Sequence, residues 1–105
     1  AEVRIEGHTS SEWEGASNGL EAYFKNMELS QNRTRAVLQY CLSLEQVKGD
    51  IDWAKETLTA NGLSSSKLVR GKDGAEEVEL SRRVEFRVRT DAEKRIVSIL
   101  EGIGL

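Results

Sequence analysis

Two segments of the chain alternate apolar and charged residues, which is the pattern of a β-strand with one buried face. Near the N-terminus the alternation covers residues 2–6, and we expect this strand to end near Gly7. Near the C-terminus it covers residues 82–89, the clearest strand in the sequence. Residues 68–69 predict a weaker strand between the two. The apolar positions of the last strand are predicted to face the core: Val84, Phe86 and Val88.

Four other stretches have the apolar spacing of helices. A short helix is predicted over residues 17–27, after a loop over residues 9–18 that is rich in Ser, Glu and Gly. The longest helix is predicted to begin at Ser30, whose hydroxyl can accept a free amide of the next turn. Asp50 can cap a third helix, which the Asn-Gly pair at residues 61–62 would end.

The last helix is predicted from a capping box, Thr90 followed three residues later by Glu93. Each side chain of such a box satisfies a free amide at the start of the helix. Its apolar face consists of Ile96, Ile99, Leu100 and Ile103.

The composition is that of one folded domain. A chain of 105 residues with 31% charged and 38% hydrophobic residues can bury a single core, on the order of 60 to 70% of its unfolded surface. The net charge of -3, with acids and bases interleaved, provides no basic stripe, so nucleic acid is not an expected partner. No apolar run approaches the roughly 20 residues of a membrane span, and no signal-peptide pattern is present. We expect any membrane anchor to lie outside this segment.

The residue types indicate neither catalysis nor metal binding. His8 stands near Ser10 and Ser11, but no glycine-flanked serine elbow and no third orienting group accompany them. One histidine and one cysteine with no shared spacing cannot complete a metal coordination shell. Cys41 lies in an apolar run and is expected to be a buried structural thiol. We therefore expect no enzymatic activity, no cofactor and no metal.

Three phrases follow one another in the sequence: Gly-His-Thr-Ser within residues 4–11, Asn-x-x-Leu-Ser-x-x-Arg over residues 26–33, and Ser-Arg-Arg-Val-Glu-Phe over residues 81–86. Because it carries these three phrases in this order, the chain resembles the OmpA-like, MotB-like peptidoglycan-binding domain over residues 3–89. The resemblance implies an α+β fold, a two-layer OmpA-like βαβ-type sandwich of helices on a small mixed sheet. It also implies that residues 1–105 are a single domain.

The family fold opens with a strand and a helix before the Gly-His-Thr phrase, and we expect this chain to lack them. Either the parent protein supplies them upstream, or the C-terminal helix from Thr90 takes the place of the family's first helix.

The resemblance implies recognition of the diaminopimelate of the peptidoglycan stem peptide. Arg33 would bind its carboxylate through a bidentate fork. The helix predicted to start at Ser30 would add free amides and its positive dipole end. Thr9 and Asn26 would supply neutral hydrogen bonds, and Leu29 would form a wall of the pocket.

Position 10 departs from the family pattern, because Ser10 replaces the aspartate that holds the ligand's ammonium group. Losing a charged hydrogen bond of about 1.5–3 kcal/mol would weaken binding by about 10- to 150-fold. Glu12 or Glu14 could restore a carboxylate, or both could be solvated loop charges, and repeated sites along the glycan could add avidity. Trp13 could stack on a sugar or fold over the core. Cross-strand ion pairs that orient the pocket are expected from Arg82, Arg83 and Glu85.

Two functions follow from these expectations. The first is a non-catalytic module in the periplasm of a Gram-negative bacterium that binds peptidoglycan and anchors a membrane or outer-membrane protein to the cell wall. A MotB-like stator subunit is one such parent. The second function keeps the fold but uses a degenerate site for a protein partner or a homodimer. Contact with a membrane is expected only through segments outside this chain.

Overall fold

The computed structural model describes residues 2–104. Their elements, in chain order, are β1 Glu2–His8, α1 Gly19–Ser43, a 3-10 helix Glu45–Asp50, α2 Ile51–Thr57, β2 Leu58–Gly62, α3 Val78–Ser81, β3 Arg83–Arg89 and α4 Asp91–Gly102. The strands form a mixed sheet in the order β2-β1-β3, with β1 parallel to β2 and antiparallel to β3. The predicted α+β fold with helices on a small mixed sheet is confirmed. None of the helices within residues 2–104 has both the length and the apolar composition to cross a bilayer.

The core lies where α1 packs on the central strand. Ile5 of β1 is completely buried. A Cβ atom at Gly7 would lie only 2.8 Å from the carbonyl oxygen of Ser30 in α1, closer than real Cβ atoms approach. Gly62, its partner in β2, faces the backbone of Gln31 in the same way. Both strand ends therefore need glycine, because the helix backbone rests directly on them.

Helix α1 is continuous, so the prediction of two separate helices with a start at Ser30 was wrong. The helix begins after Asn18, whose side-chain oxygen accepts from the Glu21 amide at 2.9 Å. Ser30 is buried within α1, where its hydroxyl donates to the Met27 carbonyl at 3.0 Å and accepts from the Ser64 amide at 3.1 Å. In the sequence, a serine that accepts a hydrogen bond from a loop amide inside a helix cannot be distinguished from a serine that caps a helix.

The second strand also lies elsewhere than predicted. Residues 58–62 form β2, although the sequence placed the end of a helix there. Parallel pairing with the central strand satisfies their backbone, and this tertiary pairing overrides the local helical pattern. Residues 68–69 are outside the sheet. The Val69 amide donates instead to the hydroxyl of Ser81 at 3.0 Å, and the Val69 carbonyl accepts from the Glu77 amide at 2.8 Å.

Of the helix caps predicted at Thr90 and Asp50, only the one at Thr90 forms a capping hydrogen bond. Thr90 caps α4 as predicted, accepting from the Glu93 amide at 3.3 Å. Asp50 occupies the cap position of α2, but its carboxylate makes no capping hydrogen bond, because the 3-10 helix runs directly into α2. Cys41 is half-buried rather than buried.

The apolar face of β3 is not in the core, which corrects the prediction for this strand. Phe86 and Val88 are each 58% exposed. Helix α1 packs on β1 and β2, so β3, at the edge of the sheet, is left uncovered by residues 2–104. The apolar face of α4 is exposed as well, at Ile96, Ile99, Leu100 and Ile103.

Candidate functional site

A hollow of about 430 Å³ opens beside the end of β1. The structure brings together all five side chains that the resemblance assigned to ligand binding, together with both candidate acids. We call this cavity the strand-end hollow. Its lining consists of Thr9, Ser10, Glu12, Trp13, Glu14, Asn26, Leu29, Arg33 and Arg82.

The floor of the strand-end hollow is a set of buried polar groups that mostly bond to one another. Thr9 and Ser10 are 1% exposed and Asn26 is 3% exposed. The Asn26 amide group donates to the Ser10 carbonyl at 3.0 Å and to the Glu12 carbonyl at 3.1 Å. The Thr9 hydroxyl donates to the Ser10 carbonyl at 2.9 Å. Asn26 therefore braces the loop after β1, a role that its spacing in the sequence did not reveal.

Arg33 lies on the rim and is exposed. Within residues 2–104, no carboxylate forms an ion pair with its guanidinium. Arg33 is far inside α1, which begins at Gly19, so its surrounding amides are bonded within the helix. The expected contribution of free amides and a positive helix end at this site was therefore wrong.

Arg82 is the second basic group of the strand-end hollow, and the sequence had placed it in a cross-strand ion pair. Its guanidinium instead lies 3.7 Å from the Glu12 carboxylate and 3.2 Å from that of Glu79. Arg83 pairs with Glu85 at 2.6 Å, two positions along the same strand rather than across it. Arg82 differs from the prediction because the short helix α3 ends just before β3 and leaves it outside the ladder. Arg83 differs because its direct partner across the ladder is His8, not an acid.

Four charged side chains surround the opening, two of each sign: Glu12, Glu14, Arg33 and Arg82. Trp13 is 37% exposed and lies in the wall, so it contributes to the strand-end hollow rather than to the buried core. Leu29 is half-buried in the same wall. A cavity with apolar walls and charges of both signs can bind a zwitterion, because each charge of the ligand has an opposite partner.

Glu76 fixes the loop that carries the two acids. Its carboxylate accepts from the Ser11 amide at 2.7 Å and from the Ser11 hydroxyl at 2.5 Å. The hydroxyl hydrogen bond, followed by the amide hydrogen bond, lowers the pKa of Glu76. The two residues are 65 positions apart, and no local pattern in the sequence predicts their contact.

His8 is buried on the sheet and takes no part in the strand-end hollow. Burial, and then the charge of Arg83, lower the pKa of His8. Its ring lies near Glu6 and Glu85, and one potential ligand atom from each of the three residues falls within 4.8 Å of the others. The sequence did not show this cluster, because strand pairing brings Glu85 next to residues of β1.

The fold and the strand-end hollow define a small α+β domain with a solvent-open cavity lined by charges of both signs. No known protein-family model matches the chain. The chain is similar to the Zorya protein ZorB of Escherichia coli strain Crooks, with 48% identity over 100 residues. The match covers 95% of this chain but only 43% of that protein, so the chain corresponds to less than half of its relative.

Proposed function

We propose that this domain is a non-catalytic peptidoglycan-binding module that grips the diaminopimelate of the stem peptide in the strand-end hollow. The observation that carries the proposal is the convergence of five residues on one open cavity: Arg33 and Leu29 at its surface, and the buried Thr9, Ser10 and Asn26 that form its floor. The three sequence phrases come from different parts of the chain, and residues of each one line this cavity.

Arg33 is the proposed partner of the ligand's carboxylate. Its guanidinium is exposed on the rim and is not paired with a carboxylate of residues 2–104, so binding breaks no ion pair there. A planar guanidinium can hold a carboxylate through two parallel hydrogen bonds, which a lysine cannot do.

The ammonium group is proposed to meet Glu12 or Glu14, since Ser10 supplies no charge. Both carboxylates line the cavity, and the Glu12 backbone is fixed by Asn26. Glu12 is also paired with Arg82 at 3.7 Å, so an ammonium must share or displace that partner. We therefore expect weaker binding than an aspartate at position 10 would give.

The whole protein is proposed to be an envelope component of a Zorya-type system, resembling a MotB-like stator subunit held against the cell wall in the periplasm. The similarity to ZorB supports this proposal. Membrane insertion would then belong to segments outside this chain.

The proposal is tested by sedimentation of the purified domain with isolated peptidoglycan. The domain is expected to co-sediment, and Arg33→Ala is expected to reduce retention by about tenfold or more, since a charged hydrogen-bond partner is lost. Arg35→Ala is the matched control, because Arg35 is exposed on the same helix but does not line the hollow. Absence of retention, or equal retention of the two variants, contradicts the proposal.

A second candidate function is supported by the uncovered apolar faces of β3 and α4. Large exposed apolar surfaces mark protein interaction sites. These faces would bind a protein partner, a second copy, or the strand and helix with which the family fold opens. Analytical ultracentrifugation tests the second copy: a dimer that Phe86→Ser and Ile99→Ser dissociate supports it, and a monomer at all concentrations contradicts it.

A further inference from the structure

Trp13 lies in the loop between β1 and α1, and the backbone on both sides of it is hydrogen-bonded. The Glu12 carbonyl accepts from the Asn26 side chain at 3.1 Å, and the Glu12 amide donates to the Ser10 hydroxyl at 3.4 Å. On the other side, the Trp13 carbonyl accepts from the Ala16 amide at 3.2 Å. These hydrogen bonds fix the position of Trp13 at the wall of the strand-end hollow.

The turn that follows Trp13 depends on a glycine. Gly15 has a φ of +84°, in the left-handed region, whereas Glu14 before it has no positive φ. A positive φ at the third residue of a turn, and not at the second, is the pattern of a type II turn, which favours glycine at that position. The loop therefore turns sharply directly after Trp13, through the residue type that is suited to this turn.

The indole of Trp13 offers an apolar surface that water still reaches. Trp13 is 37% exposed and lines the strand-end hollow. The residues on either side of it in the sequence, Glu12 and Glu14, line the same cavity and carry carboxylates. A flat aromatic surface beside hydrogen-bond acceptors suits a sugar ring, because the ring has an apolar face of C–H groups and hydroxyl donors at its edge.

The strand-end hollow is larger than the groups of the ligand that Arg33 and the loop acids are proposed to bind. Its volume of about 430 Å³ lies within the range of about 300–1,000 Å³ that holds drug-sized ligands. A carboxylate with its neighbouring ammonium takes the space of a few water molecules, at roughly 30 Å³ each. Space therefore remains along the walls, of which Trp13 is one, for a second part of the ligand.

We propose that Trp13 binds a sugar ring of the glycan strand, so that the strand-end hollow recognises the sugar together with the stem peptide. The apolar face of the ring packs on the indole, while the charged groups of the diaminopimelate keep the partners proposed above. A stem peptide is joined to its sugar through few residues, so a sugar lies near the rim whenever the peptide is bound. This inference rests on the proposed function and adds the glycan to the ligand.

The test compares two soluble ligands by calorimetry: the tripeptide that ends in diaminopimelate, and the same tripeptide on its disaccharide of N-acetylglucosamine and N-acetylmuramic acid. The second ligand is expected to bind about tenfold more tightly, since an aromatic contact and the burial of the ring face are added. Trp13→Ala should abolish this preference and change the affinity for the tripeptide by less than about threefold. Trp53→Ala removes an exposed tryptophan outside the hollow and, as the matched control, should keep the preference.

Two further variants separate a sugar contact from a structural role of Trp13 in the loop. Trp13→Phe keeps a flat aromatic face and should retain part of the preference for the disaccharide ligand. Trp13→Leu keeps an apolar side chain without that face and should lose the preference. Circular dichroism verifies that both variants are folded. Equal preference in the two variants would overturn the sugar contact.

The same titrations distinguish a failure of this inference from a failure of the proposed function. Tripeptide binding that Arg33→Ala weakens, with no gain from the disaccharide, would overturn the inference and leave the proposed function standing. Peptide-free disaccharide is the third ligand, added to a Trp53→Phe domain in which Trp13 is the sole tryptophan. Saturable quenching of its fluorescence would support the sugar contact even if the tripeptide did not bind. Binding of none of the three ligands would overturn both proposals.

Discussion

The paired strands β1 and β3 differ sharply in how far the rest of the chain covers them. Ile5 and Phe86 are direct partners across β1 and β3, yet Ile5 is completely buried and Phe86 is 58% exposed. Helix α1 covers β1 and also supplies Asn26, Leu29 and Arg33 to the strand-end hollow. β3 and α4 have comparable apolar patterns, but residues 2–104 leave both of these apolar faces exposed. The packed strand therefore positions the proposed ligand site, whereas the exposed faces belong to the second candidate function.

The largest effect is expected when the side chains of the paired residues Ile5 and Phe86 are truncated one at a time. Ile5→Ala removes a fully buried side chain and is expected to lower the free energy of unfolding by about 2–5 kcal/mol. Phe86→Ala should cost less than about 1 kcal/mol in the isolated domain, because most of that ring is already in water. Urea denaturation measures both. Equal losses would show that β3 is covered in solution.

A substitution at the helix contact should give the next largest effect. Gly7→Ala places a methyl group 2.8 Å from the Ser30 carbonyl oxygen, so α1 must shift, at an expected cost of about 1–3 kcal/mol. Gly49→Ala is the control, because nothing lies within 4 Å of the new Cβ atom. Thermal unfolding followed by circular dichroism separates the two variants. Similar midpoints for Gly7→Ala and the unmodified domain would mean that α1 does not rest on the strand end.

The loop brace should give a smaller effect on stability and a larger one on ligand binding. Asn26→Ala removes both donors to the Ser10 and Glu12 carbonyls, and we expect a loss of about 1–2 kcal/mol, since this loop end can partly rehydrate. Because the loop positions Glu12, peptidoglycan retention should fall more than this stability loss explains. Retention that is unchanged in a folded Asn26→Ala variant would remove the loop acids from the proposed site.

The smallest expected effect is the pH dependence due to Glu76. Its pKa is lowered by hydrogen bonds from Ser11, so the unfolded chain binds more protons on this group than the folded one. The stabilisation is present above the ordinary glutamate pKa and is lost as the pH falls through the lowered value. Glu76→Gln should therefore flatten part of the decline in unfolding midpoint below about pH 4.5. An unchanged slope would mean that the loop is not held by this carboxylate.

The sequence predicted the elements whose pattern is local. The alternation in β1 and β3 and the capping box at Thr90 each correspond to an observed element, because their signals come from residues next to one another. The local pattern predicts a helix over residues 58–62, since only pairing with β1 makes them a strand. The pattern around Ser30 predicts a helix cap, because the amide that its hydroxyl accepts from, that of Ser64, is 34 residues away.

The candidate site divides in the same way. The family phrases allowed the cavity residues to be predicted, and the structure gathers them around one opening. Arg82 as a lining residue and Glu76 as the loop anchor could not be predicted, because both depend on how the segment before β3 meets the loop after β1. The cluster of Glu6, His8 and Glu85 could not be predicted either, since it forms only when β1 and β3 pair in register.

The most direct measurement is a calorimetric titration of the domain with a soluble stem peptide that contains diaminopimelate. A peptide with lysine at that position, which lacks the side-chain carboxylate, is the comparison ligand. We predict saturable binding of the first peptide that weakens by about 10- to 150-fold with Arg33→Ala and by a similar factor with the lysine peptide. Equal affinity for the two peptides, or an Arg33→Ala variant that binds as tightly as the unmodified domain, would contradict the proposed grip.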